Sequence, residues 1–127
     1  MQDKNLYEYA IIRLVPLVER GEFINIGVIL MAKAKDFLGM KYQLDAKKIS
    51  ALAKDIDIEM IKTYLNAWEL VCDGHENGGK IGSLEIQVRF RWLTANRSTI
   101  IQSSPVHPGF CNDPEQELDR LMQKFVL

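Results

Sequence analysis

The sequence predicts an α+β fold: an antiparallel sheet opening with a long N-terminal hairpin or meander, helices packed on one side, and the whole chain 1–127 forming a single compact domain. Three observations predict it. Residues 7–31, YEYAIIRLVPLVERGEFINIGVILM, place two runs rich in Val, Ile, Tyr and Phe around the charged turn Glu19-Arg20-Gly21-Glu22, and Gly21 supplies the permissive backbone that a tight reversal needs. Asp45, Asp57 and Asp113 each precede a stretch with helical apolar spacing, the position at which a carboxylate caps a helix. The chain of 127 residues is 47% hydrophobic and 26% charged, which is ordinary globular composition and enough length for one core.

Residues 6–15 read as a first strand, 23–33 as a second, and 37–43 as a third after the turn Ala34-Lys35-Asp36. Asp45 caps a short helix through Lys54 with Ile49, Leu52 and Ala53 on its apolar side. Asp57 caps a longer one to Cys72, where Ile58, Ile61, Leu65, Trp68 and Cys72 recur at three- and four-residue steps and Tyr64 and Val71 widen the face. Residues 73–82, with four glycines, read as a loop.

Residues 83–95 fit two patterns. Leu84, Ile86, Val88, Phe90 and Trp92 alternate with polar residues as in a half-buried strand. As a helix, Ser83 is the cap, Leu84, Val88 and Trp92 stack at four-residue spacing, and Glu85 lies one turn before Arg89; the helix is preferred. Residues 98–103 follow as a strand, and Pro105 and Pro108 enforce an extended loop. A last helix then begins with Asp113 as cap, Pro114 in the first position, Gln116 at the capping-box position, and an apolar face of Leu118, Leu121, Met122 and Phe125.

Charge and hydropathy narrow the function classes. Sixteen basic and seventeen acidic side chains leave a net charge of −1, so no global field draws the chain to nucleic acid or an anionic membrane. No run approaches the ~18 apolar residues of a membrane span, and the start Met1-Gln2-Asp3-Lys4-Asn5 lacks the charged-then-apolar order of a signal peptide. The expected location is the cytoplasm, with Cys72 and Cys111 as thiols.

Several spaced motifs carry a family resemblance. Tyr9-x3-Arg13-x2-Pro16-x2-Glu19-Arg20-Gly21-Glu22-x2-Asn25-x-Gly27-Val28 is followed by Arg89-Phe90-x-Trp92-Leu93-x-Ala95-x-Arg97-Ser98, by Ser104-Pro105-Val106-His107-x-Gly109, and by Asp113-Pro114-x2-Glu117-Leu118. In this order they resemble the bacterial domain-of-unknown-function family 3037 over most of the chain. The resemblance implies no established activity. It implies a genomic neighbourhood beside a kinase resembling the HipA toxin, hence a protein partner and a toxin–antitoxin association.

Candidate site residues follow from the chemistry of the side chains. Arg13 sits between Ile12 and Leu14 in an apolar strand, where an unpaired guanidinium is expensive; it either pairs with Glu19, Glu22 or Asp45 or holds an anion or a partner carboxylate. Asn25 and Gly27 break the alternation of the second strand, as a bulge or a close backbone approach would. Arg89, Arg91, Arg97, Ser98, Thr99, Ser103, Ser104 and His107 make the C-terminal half locally cationic and rich in hydroxyls, the chemistry of phosphate recognition. Gly74-x4-Gly79-Lys80 imitates a phosphate-binding loop, but Ile81 stands where the metal-bound hydroxyl belongs, and the stretch follows a helix rather than a strand. Cys72, His75, His107 and Cys111 have the arithmetic of a zinc site, yet Cys72 lies on an apolar helix face and is read as core.

No catalytic triad ordering, paired carboxylates on one helix face or dinucleotide fingerprint occurs, so no catalytic residue, metal or cofactor is expected. The leading functional expectation is a non-enzymatic interaction or regulatory module, accessory to a HipA-like kinase, that docks through the hairpin turn 19–22 and the surface from Arg89 to His107. The alternative is a phosphate-handling protein that binds nucleotide or nucleic acid through Arg13, Arg97 and His107. Convergence of Arg13, Asn25, Arg97 and His107 on one pocket would favour the alternative, and their dispersal the first.

Overall fold

The computed structural model describes residues 4–127; residues 1–3, which began the stretch compared with a signal peptide, lie outside it. Strand β1 (Asn5–Leu14) and strand β2 (Ile24–Ala32) form the expected antiparallel hairpin, and Gly21 at its tip takes a left-handed φ of 72°. Strand β3 (Phe37–Tyr42) returns along β2 to complete the meander. The ladder slips between Ile12↔Gly27 and Arg13↔Asn25, so the break at Asn25 is a bulge. At Gly27 the backbone is crowded as well, since a Cβ there would lie 2.5 Å from the Lys41 carbonyl oxygen.

The other edge of β1 carries two short strands in tandem. Strand β4 (Ile101–Ser103) pairs with Ile12 to Leu14, and strand β5 (His107–Cys111) pairs with Asn5 to Tyr9. Ser104 bridges the gap between them: its N–H donates to the Ile11 carbonyl at 2.8 Å, and its Oγ accepts from the Ile11 N–H at 2.8 Å. A side chain thus completes the ladder where Pro105 has no N–H to offer. The expected loop through Pro108 is therefore partly a strand, because a sheet edge is where proline is tolerated. The strand expected over 98–103 begins only at Ile101.

Three aspartates start helices as predicted. Asp45 accepts from the N–H groups of Lys47 and Lys48 before α1 (Ala46–Leu52), Asp57 from those of Glu59 and Met60 before α2 (Ile58–Cys72). The region read as a loop contains a 3-10 turn and a single helical turn, α3 (Gly79–Gly82). The ambiguous segment is helical as α4 (Ile86–Leu93), but Ser83 is not its cap: the Ser83 hydroxyl donates back to the Lys80 carbonyl at 2.7 Å. Asp113 accepts from Glu115 and Gln116 N–H at the start of α5 (Pro114–Phe125).

The fold is α+β, with one five-stranded antiparallel sheet, but helices cover both of its faces rather than one. Ala10, Ile12, Leu14, Ile26, Ile29 and Met31 pack against Ile49 of α1, the inner side of α2, and Phe90 and Leu93 of α4. Tyr7, Ile11, Val28, Leu30 and Ala32 pack against Leu118, Leu121 and Met122 of α5. The reason lies in β2, where every residue from Ile26 to Ala32 is buried, so neither face can be left to water. None of the helices among the described residues is long and apolar enough to cross a membrane.

Candidate functional site

Helices α2 and α4 lie side by side on the sheet. Their inward periodicity buries Ile61, Leu65, Phe90 and Leu93, and what remains of each apolar face turns outward. Met60 and Tyr64 of α2 and Val88 and Trp92 of α4 are 38–45% exposed, and so is Leu84 just before α4. The stripe Leu84, Val88, Trp92 anticipated for this helix is thus present but faces solvent, while Phe90 and Leu93 enter the core.

Arg97, beyond the end of α4, lies in the cleft between the helices and β4. Its guanidinium carbon is 5.2 Å from the Trp68 ring centroid and 4.9 Å from that of Trp92, and Nη2 donates to the Trp92 carbonyl. The cleft has a volume of about 700 Å³ and is lined chiefly by Met60, Tyr64, Trp68, Trp92, Arg97 and Thr99. Desolvation by burial lowers the Arg97 pKa. Among the described residues it has no carboxylate partner.

Arg13 and Asn25 belong to the opposite face. Arg13 places its guanidinium 4.1 Å from the Phe23 ring centroid. The ion pair with Glu19, Glu22 or Asp45 does not form among the described residues: Glu22 holds Arg20 at 2.9 Å and Asp45 is engaged as a cap. A cation–π contact across the hairpin supplies the company that the apolar strand demanded. Asn25 donates through Nδ2 to the Phe125 carbonyl at 3.3 Å. Among the described residues, Arg13 Nε and Asn25 Oδ1 are buried without a hydrogen-bond partner. His107 is exposed and lies beside Tyr9, ring centroids 5.5 Å apart, and Tyr9 in turn stacks on Phe125 at 6.0 Å. Arg13, Asn25 and His107 therefore share the α5 face, whereas Arg97 and Thr99 line the cleft on the other.

The remaining candidates have local duties. Arg89 caps the C-terminus of α2, with Nη1 donating to the carbonyls of Val71 at 3.2 Å and Cys72 at 3.0 Å, in place of the anticipated pairing with Glu85. Thr99 Oγ1 donates to the Ile101 carbonyl at 2.7 Å, Ser98 is exposed, and Glu19 sits exposed in the 3-10 turn Val18–Arg20. The four residues with zinc-like spacing do not gather: Cys72 belongs to one core cluster and Cys111 to the other. Burial pushes the Cys72 thiol up to about 12, as befits a core residue.

The family described as Protein of unknown function (DUF3037) matches residues 9–126. The chain belongs to this family. No curated protein and no solved structure matches it.

The residues that carried the resemblance divide between the two faces. Gly109 lies against Tyr7, whose ring leaves no room for a side chain: a Cβ there would be 2.5 Å from the ring carbon Cζ. The Tyr7 hydroxyl donates to Glu117 at 2.5 Å, and Arg120 grips the same carboxylate with Nε at 2.8 Å and Nη2 at 2.6 Å. Those hydrogen bonds, Arg120 foremost, hold the Glu117 carboxyl below its usual pKa, and burial with the Glu117 bond raises that of Tyr7. Trp92 and Arg97, from the second motif, form the cleft instead. Sequence reasoning assigned Trp68 and Trp92 to packing and missed them as cleft residues; the signal was the width of the α2 face, which Tyr64 extends beyond what the sheet covers.

Proposed function

We propose that the protein is a non-enzymatic interaction module, an accessory or regulatory partner of another protein, that docks through the Trp68–Trp92–Arg97 cleft. The observation that carries this reading is Arg97 held by two indoles, without a carboxylate partner among the described residues, amid partly exposed Met60, Tyr64, Val88 and Trp92. Trp, Tyr, Met and Arg are the residues enriched in protein interfaces and in their energetic hot spots. The hairpin is contiguous with the cleft, since Pro16 and Leu17 line a neighbouring hollow that shares Met60 and Ile100 with it.

Dispersal of the polar groups supports the same reading. Arg13 and His107 lie across the sheet from Arg97, and Arg89 is engaged with backbone carbonyls, which disfavours a phosphate-handling surface assembled from them. A HipA-like kinase is the partner class implied by the family resemblance, and the cytoplasm the compartment in which Cys72 and Cys111 stay reduced.

The chain's two tryptophans both line the cleft, so intrinsic fluorescence reports its occupancy. Titration with a purified HipA-like kinase encoded beside the gene is expected to change that emission saturably. Trp92→Ala should weaken the interaction, followed by calorimetry, at least about tenfold, as truncation of an aromatic anchor does. Equal affinity of the variant and the parent, or saturable nucleotide binding that Trp92→Ala leaves intact, would contradict the proposal.

A further inference from the structure

The chemistry of the cleft also constrains what enters it. Among the described lining residues Arg97 alone is charged, and the rest of the lining is aromatic or aliphatic apart from Thr99. Nη2 is engaged with the Trp92 carbonyl. Among the described residues Nε and Nη1 have no protein acceptor and, unlike Arg13 Nε and Arg89 Nε, neither is fully buried, so that edge of the guanidinium is left for a ligand. Among the described residues Arg20 and Arg120 hold acids of the chain, Glu22 and Glu117, Arg89 holds two backbone carbonyls and Arg13 a phenyl ring, whereas Arg97 combines two indoles with an edge that meets no acid. A guanidinium positioned by aromatic rings, with an open edge, is pre-organised for a planar carboxylate.

Resting on the docking reading above, we infer that the cleft takes an acidic amphipathic segment of the partner protein, with one carboxylate on the open edge of Arg97 and a neighbouring aromatic or long aliphatic side chain against Met60, Tyr64 and Trp92. The outer stripe supports the amphipathic part: Val88 and Trp92 stand one turn apart on α4, with Leu84 before them. An apolar ridge beside a charged cleft suits a helix that presents apolar residues every third or fourth position with an acid next to them. Enclosure by the indoles lowers the local dielectric, so the carboxylate contact is stronger than an exposed ion pair.

The probe is a synthetic peptide of about four helical turns with Leu and Phe on one face and Glu beside them, compared with matched peptides carrying Gln or Lys in place of Glu. Tryptophan emission is the readout. The acidic peptide should bind saturably and more weakly as salt rises. Its affinity should fall about 10- to 100-fold when Glu becomes Gln or when the chain carries Arg97→Gln, the range for hydrogen bonds between charged groups. Circular dichroism establishes that Arg97→Gln is folded; should it not be, Tyr64→Ala on the exposed rim must give the loss instead.

Binding of the Gln or Lys peptide as tightly as the acidic one overturns the inference, as does a duplex or single-stranded oligonucleotide that changes the emission while the peptides do not. Self-association that Arg97→Glu abolishes, with all peptides inert, assigns the cleft to a second copy and overturns it too. If the kinase binds parent and Arg97→Gln alike and no peptide binds, this inference falls and the interaction reading stands. If neither kinase nor peptide binds, both fall.

Discussion

The two faces of one sheet are finished in different ways. On the α5 face, Tyr7 fits the space left by Gly109, Glu117 receives both the tyrosine hydroxyl and Arg120, and Lys41 of β3 reaches Asp119 and Glu115, the latter at 3.3 Å. Lys124 instead lies over the Phe125 ring and Arg13 over that of Phe23. On the opposite face α2 and α4 bury one side of their apolar surface and expose the other, and Arg97 ends among indoles with no carboxylate among the described residues. Both faces contain arginine, aromatic and aliphatic side chains. The α5 face ties Arg120 and Lys41 to acids across its seam, whereas on the other face the described ion pair Lys62–Glu59 lies outside the cleft and Arg97 has none; on the proposed reading, that difference separates a closed seam from a docking surface.

The sharpest test of the contrast compares the cleft's two tryptophans. Trp68 is 7% exposed and belongs to the core cluster, whereas Trp92 is 40% exposed. Trp68→Ala is expected to destabilise by about 3–5 kcal/mol, the range for removing a buried aromatic. Trp92→Ala should alter stability by less than about 1 kcal/mol, with its effect confined to binding. Chemical denaturation of the two variants checks both, and similar losses would mean that the outer stripe is core rather than docking surface.

The closed seam is next in size. Gly109→Ala inserts a Cβ 2.5 Å from the Tyr7 ring, so ring or strand must move, at a cost of about 1–3 kcal/mol. Thermal unfolding measures it, and a midpoint equal to the parent's would remove Gly109 from the account of this seam. Tyr7→Leu in the same background should recover part of the loss, because a smaller side chain vacates the contested space.

A smaller effect depends on pH. Hydrogen bonds from Arg120 and Tyr7 hold the folded Glu117 carboxyl below its ordinary value of 4.5. A carboxyl that is more acidic when folded stabilises the fold above its unfolded pKa and loses that stabilisation as pH falls through the folded one. Stability should therefore drop below about pH 4.5 more steeply in the parent than in Glu117→Gln. At neutral pH the variant is expected to be less stable by about 1 kcal/mol, because Arg120 is largely exposed and its pairing is screened. Stability measured against pH that falls in parallel for the parent and Glu117→Gln would contradict it.

Legibility in the sequence tracked how local each interaction is. The three Asp caps needed only the residue and the two N–H groups that follow it, and all three are where the pattern put them. The hairpin and its Gly21 turn were equally local. Helix coverage on both faces was missed, the sequence having predicted helices on one side; its signal was the apolar run Val28–Ala32 of β2, but a run without alternation does not say what covers its second side. The β5 strand was hidden because Pro108 and Gly109 read as loop residues, and only pairing with Tyr7 and Glu8 reveals an edge strand. For Arg13 the sequence demanded a partner and suggested a carboxylate; the hairpin instead brought Phe23, since register decides which side chains face each other. For Arg97 it suggested a gathering of donors with His107, whereas the strand pairing sent His107 to Tyr9 and the helix packing brought Trp68 and Trp92 from separate helices.

The central claim is that Arg97 serves a surface and not the core, and the most direct measurement takes unfolding midpoint and partner affinity from the same Arg97→Ala preparation. The account predicts an affinity about 10- to 100-fold weaker for the HipA-like kinase, with the fold intact and the midpoint close to the parent's. A midpoint that falls while affinity is unchanged would make Arg97 an internal brace and contradict the account.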